Sequence, residues 1–143
     1  MHTYRCNILK VIDGDTVDVD IDLGFGVWMR KERIRILGID TPESRTRDLT
    51  EKVYGNLAKN FVKDYLPMGS TQTLQTEKDG TGKFGRILGK FLVYDHQTDS
   101  QMHLGDIMIR EHLAVKYEGQ SKEDIAEQHI KNRELCCLPE EKE

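Results

Sequence analysis

Between Val17 and Leu23 apolar and acidic residues alternate without a break. Val17, Val19, Ile21 and Leu23 fall on one side, and Asp18, Asp20 and Asp22 on the other. A helix would scatter these residues around its circumference, so the period of two dictates a strand with one buried and one solvated face. The flanking segments have the same character. Residues 4–12 have strand composition and run into the turn signal Asp13-Gly14, while Gly24-Phe25-Gly26 turns the chain before a third strand over 27–39. Three successive strands joined by short turns predict a meander.

Downstream the period changes. Residues 40–50 read as a polar loop, and Asp48 with Glu51 resembles a capping box. Val53, Leu57, Phe61 and Tyr65 then recur every four residues, marking an amphipathic helix ended by Pro67. Segments 70–77 and 87–94 are strand-like, a short helix is predicted over 104–113, and a last one begins near Ser121 with Asp124 three residues on. That helix carries Ile125, His129 and Ile130 on one face, where His129 reads as a packed core histidine rather than a ligand. The pattern predicts an α+β, mainly β fold: a five-stranded OB-type Greek-key barrel with about three helices. At 143 residues one domain is expected, spanning 1–137, with a flexible acidic tail over 138–143.

A hydrophobic fraction of 37% beside 32% charged residues fits a soluble globular chain and excludes a disordered one. The opening MHTYRCNILK has no apolar signal core, and no later apolar run approaches ~18 residues. The expected location is therefore cytoplasmic or intracellular, with no membrane partner. Cys6, Cys136 and Cys137 are an odd set without CxxC spacing, which argues against a disulfide framework and for reduced thiols. The net charge of −4 opposes coating of nucleic acid through bulk charge, yet leaves room for a local grip on a few phosphates.

Three short motifs carry the chemistry. In Ile12-Asp13-Gly14-Asp15-Thr16 two carboxylates flank a glycine, which on its own is ordinary turn chemistry. Asp18, Asp20 and Asp22 imitate the start of an EF-hand, but its sixth position is Leu23 and its twelfth Met29, so the strand face explains them better. In Arg33-Ile34-Arg35-Ile36-Leu37-Gly38-Ile39-Asp40-Thr41-Pro42-Glu43, Ile34 and Ile36 share a face and Arg35 points the other way. A meander would bring the start of the second strand, with Asp15, close to Asp40. Two carboxylates and a loop carbonyl suit a hard divalent ion such as calcium, although a capped strand end with exposed acids would look the same. The third motif, Lys83-Phe84-Gly85-Arg86, is by itself a glycine turn with surface charge.

In combination and in this order, the three motifs resemble the staphylococcal nuclease-like (thermonuclease) family over about residues 3–137. The resemblance implies that Asp15 and Asp40 ligate a calcium ion, with Thr41 adding its backbone carbonyl. It implies that Glu43 activates the attacking water and that Arg35 and Arg86 clamp the phosphate. Lys83 would contact a terminal phosphate and Tyr117 would line the nucleotide pocket. Phe84 departs from the pattern, which usually has a tyrosine there.

The implied activity is calcium-dependent hydrolysis of DNA and RNA with little sequence specificity, leaving a 3′-phosphate. No obligate protein partner is evident, and a monomer is expected. The rival reading is a non-catalytic OB-fold module that binds nucleic acid or protein; the complete set Asp15, Arg35, Asp40, Glu43 and Arg86 speaks for catalysis. Other hydrolase classes fit less well. The five histidines form no HNH or HExxH arrangement, and no glycine-flanked nucleophile elbow is present.

Overall fold

The computed structural model describes residues 2–81 and 86–136, with backbone only for 78–81. The boundary expected after residue 137, the tail beyond it, and Lys83 and Phe84 lie outside the described residues.

The meander forms as expected. Strands β1 (His2–Asp13), β2 (Thr16–Gly24) and β3 (Val27–Ile36) pair antiparallel in sequence. Val17, Val19 and Ile21 are buried, at most 2% exposed, whereas Leu23 lies beside the hairpin tip and is 39% exposed, so the apolar face ends one residue pair early. The acidic face is paired across the sheet rather than simply solvated. Arg33 forks onto Asp18 at 2.8 and 3.1 Å, and Arg30 reaches Asp20 at 3.0 Å while lying over Trp28. Such exposed cross-strand pairs each contribute about 0.2–1 kcal/mol, enough to favour register but not to hold a fold.

The predicted third strand is broken by Gly38. Its φ of +83° is open to glycine at no steric cost, and beyond it the two-residue β4 (Ile39–Asp40) joins β8 (Val115–Lys116) in a separate small sheet. Helix α1 (Leu49–Tyr65) follows, with Asp48 accepting from Thr50 N and Glu51 N. The capping box is only half formed, because the Glu51 carboxylate turns to Glu43 N instead of Asp48. The apolar stripe is also displaced. Val53 is 51% exposed, Leu57, Phe61 and Tyr65 pack at the rim of the core, and the deeply buried face is Gly55, Ala58 and Val62. Small residues bring this helix close to the barrel.

Strands β5 (Thr71–Thr81) and β6 (Ile87–Asp95) complete the barrel: β1 pairs with β5, β5 with β6, and β6 closes parallel onto β3. The ring β1-β2-β3-β6-β5 is the expected five-stranded OB-type barrel. Phe91, Leu74, Ile8, Ile34 and Ile36 fill its centre. Buried among them, the free Cys6 thiol is pushed up to about 12 and stays protonated.

A short β7 (Ser100–His103) extends β6, an addition its polar sequence did not announce. Helix α2 (Leu104–Arg110) stops short of 113 where His112 takes a positive φ, and α3 (Lys122–Leu135) starts at the Ser121 cap. Among the described residues no helix is long and apolar enough to cross a membrane.

One buried ion pair fixes the β6–β7 turn to α2. The Asp95 carboxylate, 1% exposed, takes two hydrogen bonds from Arg110 at 2.8 and 2.9 Å and two from Thr98 at 3.0 and 2.7 Å. Arg110 above all, then Thr98, holds this carboxyl well below the ordinary carboxylate range. A depressed folded pKa gives stability that is present above the unfolded value of 3.8 and is lost as pH falls below it. Asp95→Asn is therefore expected to lower Tm at pH 7. In calorimetric scans at a series of pH values, its gap from the parent protein should narrow below pH 3.8.

Candidate active site

The site forms where β2 begins, β3 ends and β6 starts. Thr16 pairs directly with Arg35, and Ile36 N donates to Asp15 O at 2.8 Å. This register sets Asp15 beside Arg35. Ile34 and Ile36 are at most 1% exposed, so Arg35 emerges on the opposite face of the strand, as the alternation required. Its Nη1 donates to Ile36 O at 2.6 Å, which fixes the guanidinium against the strand it grows from. Its Nη2 lies 3.6 Å from Asp15 Oδ2 and 3.7 Å from Asp40 Oδ1. One nitrogen thus faces both carboxylates that the sequence singled out.

Asp40 is held there by the small sheet. Asp40 pairs with Val115, Tyr117 N donates to Gly38 O at 2.8 Å, and Ile39 is 1% exposed. Thr41 follows, 4% exposed, with its N–H directed at Asp15 Oδ2 at 3.5 Å and its buried Oγ1 without a partner. Pro42 is buried and Glu43 exposed. Glu43 is steadied through its backbone: Glu51 Oε2 accepts from Glu43 N at 3.1 Å.

Two glycines let helix α1 sit under this loop. A Cβ on Gly14 would come within 2.9 Å of both Ala58 Cβ and Thr41 Oγ1. A Cβ on Gly55 would overlap the Glu43 carbonyl and lie 2.7 Å from Ser44 N. Backbone atoms cannot rotate away, so Gly55→Ala must push the helix and the Glu43 segment apart. We expect a loss of about 1–3 kcal/mol in urea unfolding. Any cleavage activity should fall by up to about 10²-fold as Glu43 shifts, a loss separable from unfolding by assaying well below the denaturation midpoint.

Arg86 reaches the same place through the parallel closure. Arg35 pairs with Leu88, so Arg86, two residues earlier, faces the same side of the sheet. Asp15, Arg35, Asp40, Thr41, Glu43 and Arg86 line one cavity of about 530 Å³. A second cavity of about 420 Å³ shares Arg35, Asp40 and Arg86 and adds Tyr117, which is 44% exposed. The structure therefore brings together every predicted site residue that it describes.

Four titratable residues of the cavity were not singled out as site residues from the sequence: Asp13, Glu51, Lys122 and His129. Burial pushes the Asp13 carboxyl up, with Ser44 pulling it back and the Asp15 charge adding to the rise. Glu51 was read only as a helix cap. His129 and Lys122 come from α3, and His129 Nε2 lies 2.8 Å from Asp40 Oδ2, 89 residues away in the chain. No local pattern signals such a contact. Ile125 shares the His129 face and lines both cavities, while Ile130 is 53% exposed, so the predicted apolar face is narrower than expected.

Among the described residues the first cavity carries five carboxylates (Asp13, Asp15, Asp40, Glu43, Glu51) against three cationic side chains (Arg35, Arg86, Lys122). An excess of negative charge beside two arginines is a poor receptor for an anion unless a cation joins it. Among the described residues no group of three or more His, Cys, Asp or Glu side chains is placed to hold a metal ion by itself.

A family model described as Staphylococcal nuclease homologue matches residues 33–135. The match includes Arg35, Asp40, Thr41, Glu43 and Arg86 and leaves Asp15 outside. A thermonuclease of Staphylococcus intermedius is 35% identical over 81 residues, which is 57% of this chain and 44% of that protein. A thermonuclease of Staphylococcus hyicus is 33% identical over 86 residues, 60% of this chain and 46% of that protein. A micrococcal nuclease of Shigella flexneri is 25% identical over 134 residues, 92% and 68% of the two chains. The matched segments span less than half the length of the two thermonucleases. With a family match across most of its length and an OB-type barrel presenting the motif residues on one cavity, the chain belongs to the staphylococcal nuclease family.

Proposed function

We propose that this chain is a calcium-dependent phosphodiesterase that acts as a monomer, hydrolysing DNA and RNA with little sequence specificity. The observation that carries this reading is the convergence of Asp15 and Asp40 on one guanidinium nitrogen of Arg35, within 3.7 Å, on a cavity that Glu43 and Arg86 also line.

The donor set fits a hard divalent cation. Asp15 and Asp40 offer carboxylate oxygens, and the backbone carbonyl of Thr41, the next residue after Asp40, would be the third oxygen donor. Oxygen-only ligands in an open site are suited to calcium with water completing the shell. The surplus of carboxylates in the cavity supports the same choice. When bound there, the ion supplies positive charge to a non-bridging phosphate oxygen.

The remaining chemistry falls to side chains. Glu43 takes the proton of a water molecule whose oxygen attacks phosphorus; the bond to the 5′ oxygen breaks, that oxygen takes a proton from solvent and leaves as a 5′-hydroxyl, and a 3′-phosphate remains. Arg35 and Arg86 direct planar N–H forks at the equatorial oxygens, where negative charge grows. Tyr117, exposed on the adjoining cavity, offers a face on which a base can stack, and the family resemblance alone assigns Lys83, outside the described residues, to a terminal phosphate. Stacking and phosphate contacts read no base edges, so specificity for sequence is low.

A gel assay of single-stranded DNA, duplex DNA and RNA with calcium against EGTA tests this reading. Cleavage restored by calcium and abolished by the chelator is expected. Binding without cleavage under every metal condition would favour the non-catalytic module instead.

A further inference from the structure

Among its described residues helix α3 buries one side chain deeply, and that side chain is a histidine. His129 is 9% exposed, its Nε2 is 2.8 Å from Asp40 Oδ2, and its Nδ1 is buried without a partner. A carboxylate oxygen can only accept, so Nε2 carries the hydrogen. For docking a helix alone, a leucine would avoid the cost of enclosing an unpaired ring nitrogen. The opposite oxygen of the same carboxylate, Asp40 Oδ1, faces Arg35 Nη2 at 3.7 Å. His129 and Arg35 thus engage different oxygens of Asp40, the first through a hydrogen bond and the second as an ion pair, and the same Arg35 nitrogen also faces Asp15 Oδ2 at 3.6 Å.

We propose that His129 is a positioning residue: its Nε2–H hydrogen bond orients Asp40 as a calcium ligand and ties α3 to the ion site. This rests on the calcium reading above. Outer hydrogen bonds to ligating carboxylates tune metal affinity by about 10–100-fold, so the contact has a measurable consequence. The tie also gives α3 a role in the cavity. Lys122 and Ile125 stand on its wall, and their helix is held to the barrel by His129 on Asp40 and by Asn132 Nδ2 on Ala114 O at 3.1 Å.

The test is calcium titration by isothermal calorimetry on the parent protein, His129→Leu, His129→Gln and Asp40→Asn, each checked by circular dichroism. His129→Leu is expected to weaken calcium binding about 10-fold or more. His129→Gln, whose amide nitrogen can reach the position of Nε2, should restore most of it. Parent-like affinity in a folded His129→Leu protein overturns the proposal, as does a folded His129→Gln protein that binds as weakly as His129→Leu. Should the leucine variant fail to fold, His129→Asn replaces it. Asparagine is too short to reach Asp40, so equal affinity in the Asn and Gln variants overturns the proposal. If Asp40→Asn loses affinity and His129→Leu does not, only the role of His129 falls. If the parent protein takes up no calcium, the calcium reading falls and the role of His129 with it.

Discussion

Arg35→Lys is expected to lower kcat for phosphodiester cleavage by about 10²-fold or more, with the fold intact. In the structure the guanidinium is committed in two directions. Nη1 is fixed on Ile36 O at 2.6 Å, and Nη2 faces Asp15 and Asp40 at 3.6 and 3.7 Å. On the proposed reading, this pinning preorganises the planar group for the phosphate. A lysine keeps the positive charge but has one nitrogen on a flexible stem, so it cannot hold the strand carbonyl and meet two equatorial oxygens together. The loss should appear in kcat more than in KM, because the fork matters most when charge builds in the transition state. Steady-state kinetics on a short single-stranded substrate would show it. A variant with parent-like kcat would remove Arg35 from the mechanism.

Glu43→Gln should be about as damaging, with turnover falling by about 10²–10⁴-fold while calcium affinity stays near that of the parent protein. The geometry separates the two readouts. Asp15 and Asp40 converge on Arg35, whereas Glu43 is exposed and is steadied through its backbone N–H by Glu51. Glutamine preserves size and that backbone contact but cannot accept a proton. Should turnover survive while calcium binding collapses, Glu43 is a ligand and not the base. Comparing this variant with Gly55→Ala also distinguishes loss of the carboxylate from its displacement, since only the second should destabilise the α1 packing.

Much of the architecture was legible because it is local. Alternation at Val17–Ile21 marked a strand, and Asp48 and Ser121 marked helix starts. The misreadings are informative in the same terms. The Val53–Tyr65 stripe had helical spacing, yet the core chose Gly55, Ala58 and Val62, because close approach of the helix to the barrel favoured small side chains over large ones. Leu23 kept the alternation, but the sheet had no partner left to cover it at the hairpin tip. Ser100–His103 lacked an apolar rhythm and became a strand only because the edge of β6 was available.

The sequence by itself determined the strand faces, the turns, the caps and the chemical types at the site, since each depends on residues a few positions apart. Tertiary structure alone decided which of those residues meet. The parallel closure of β6 onto β3 sets Arg86 on the face of Arg35, and the β4–β8 pairing anchors Asp40 where it faces the same Arg35 nitrogen as Asp15. The docking of α3 puts His129 on Asp40 across 89 residues. Periodicity tells which face a side chain occupies but carries no information about its distant partner. That choice is made by closing the barrel and burying the helices together.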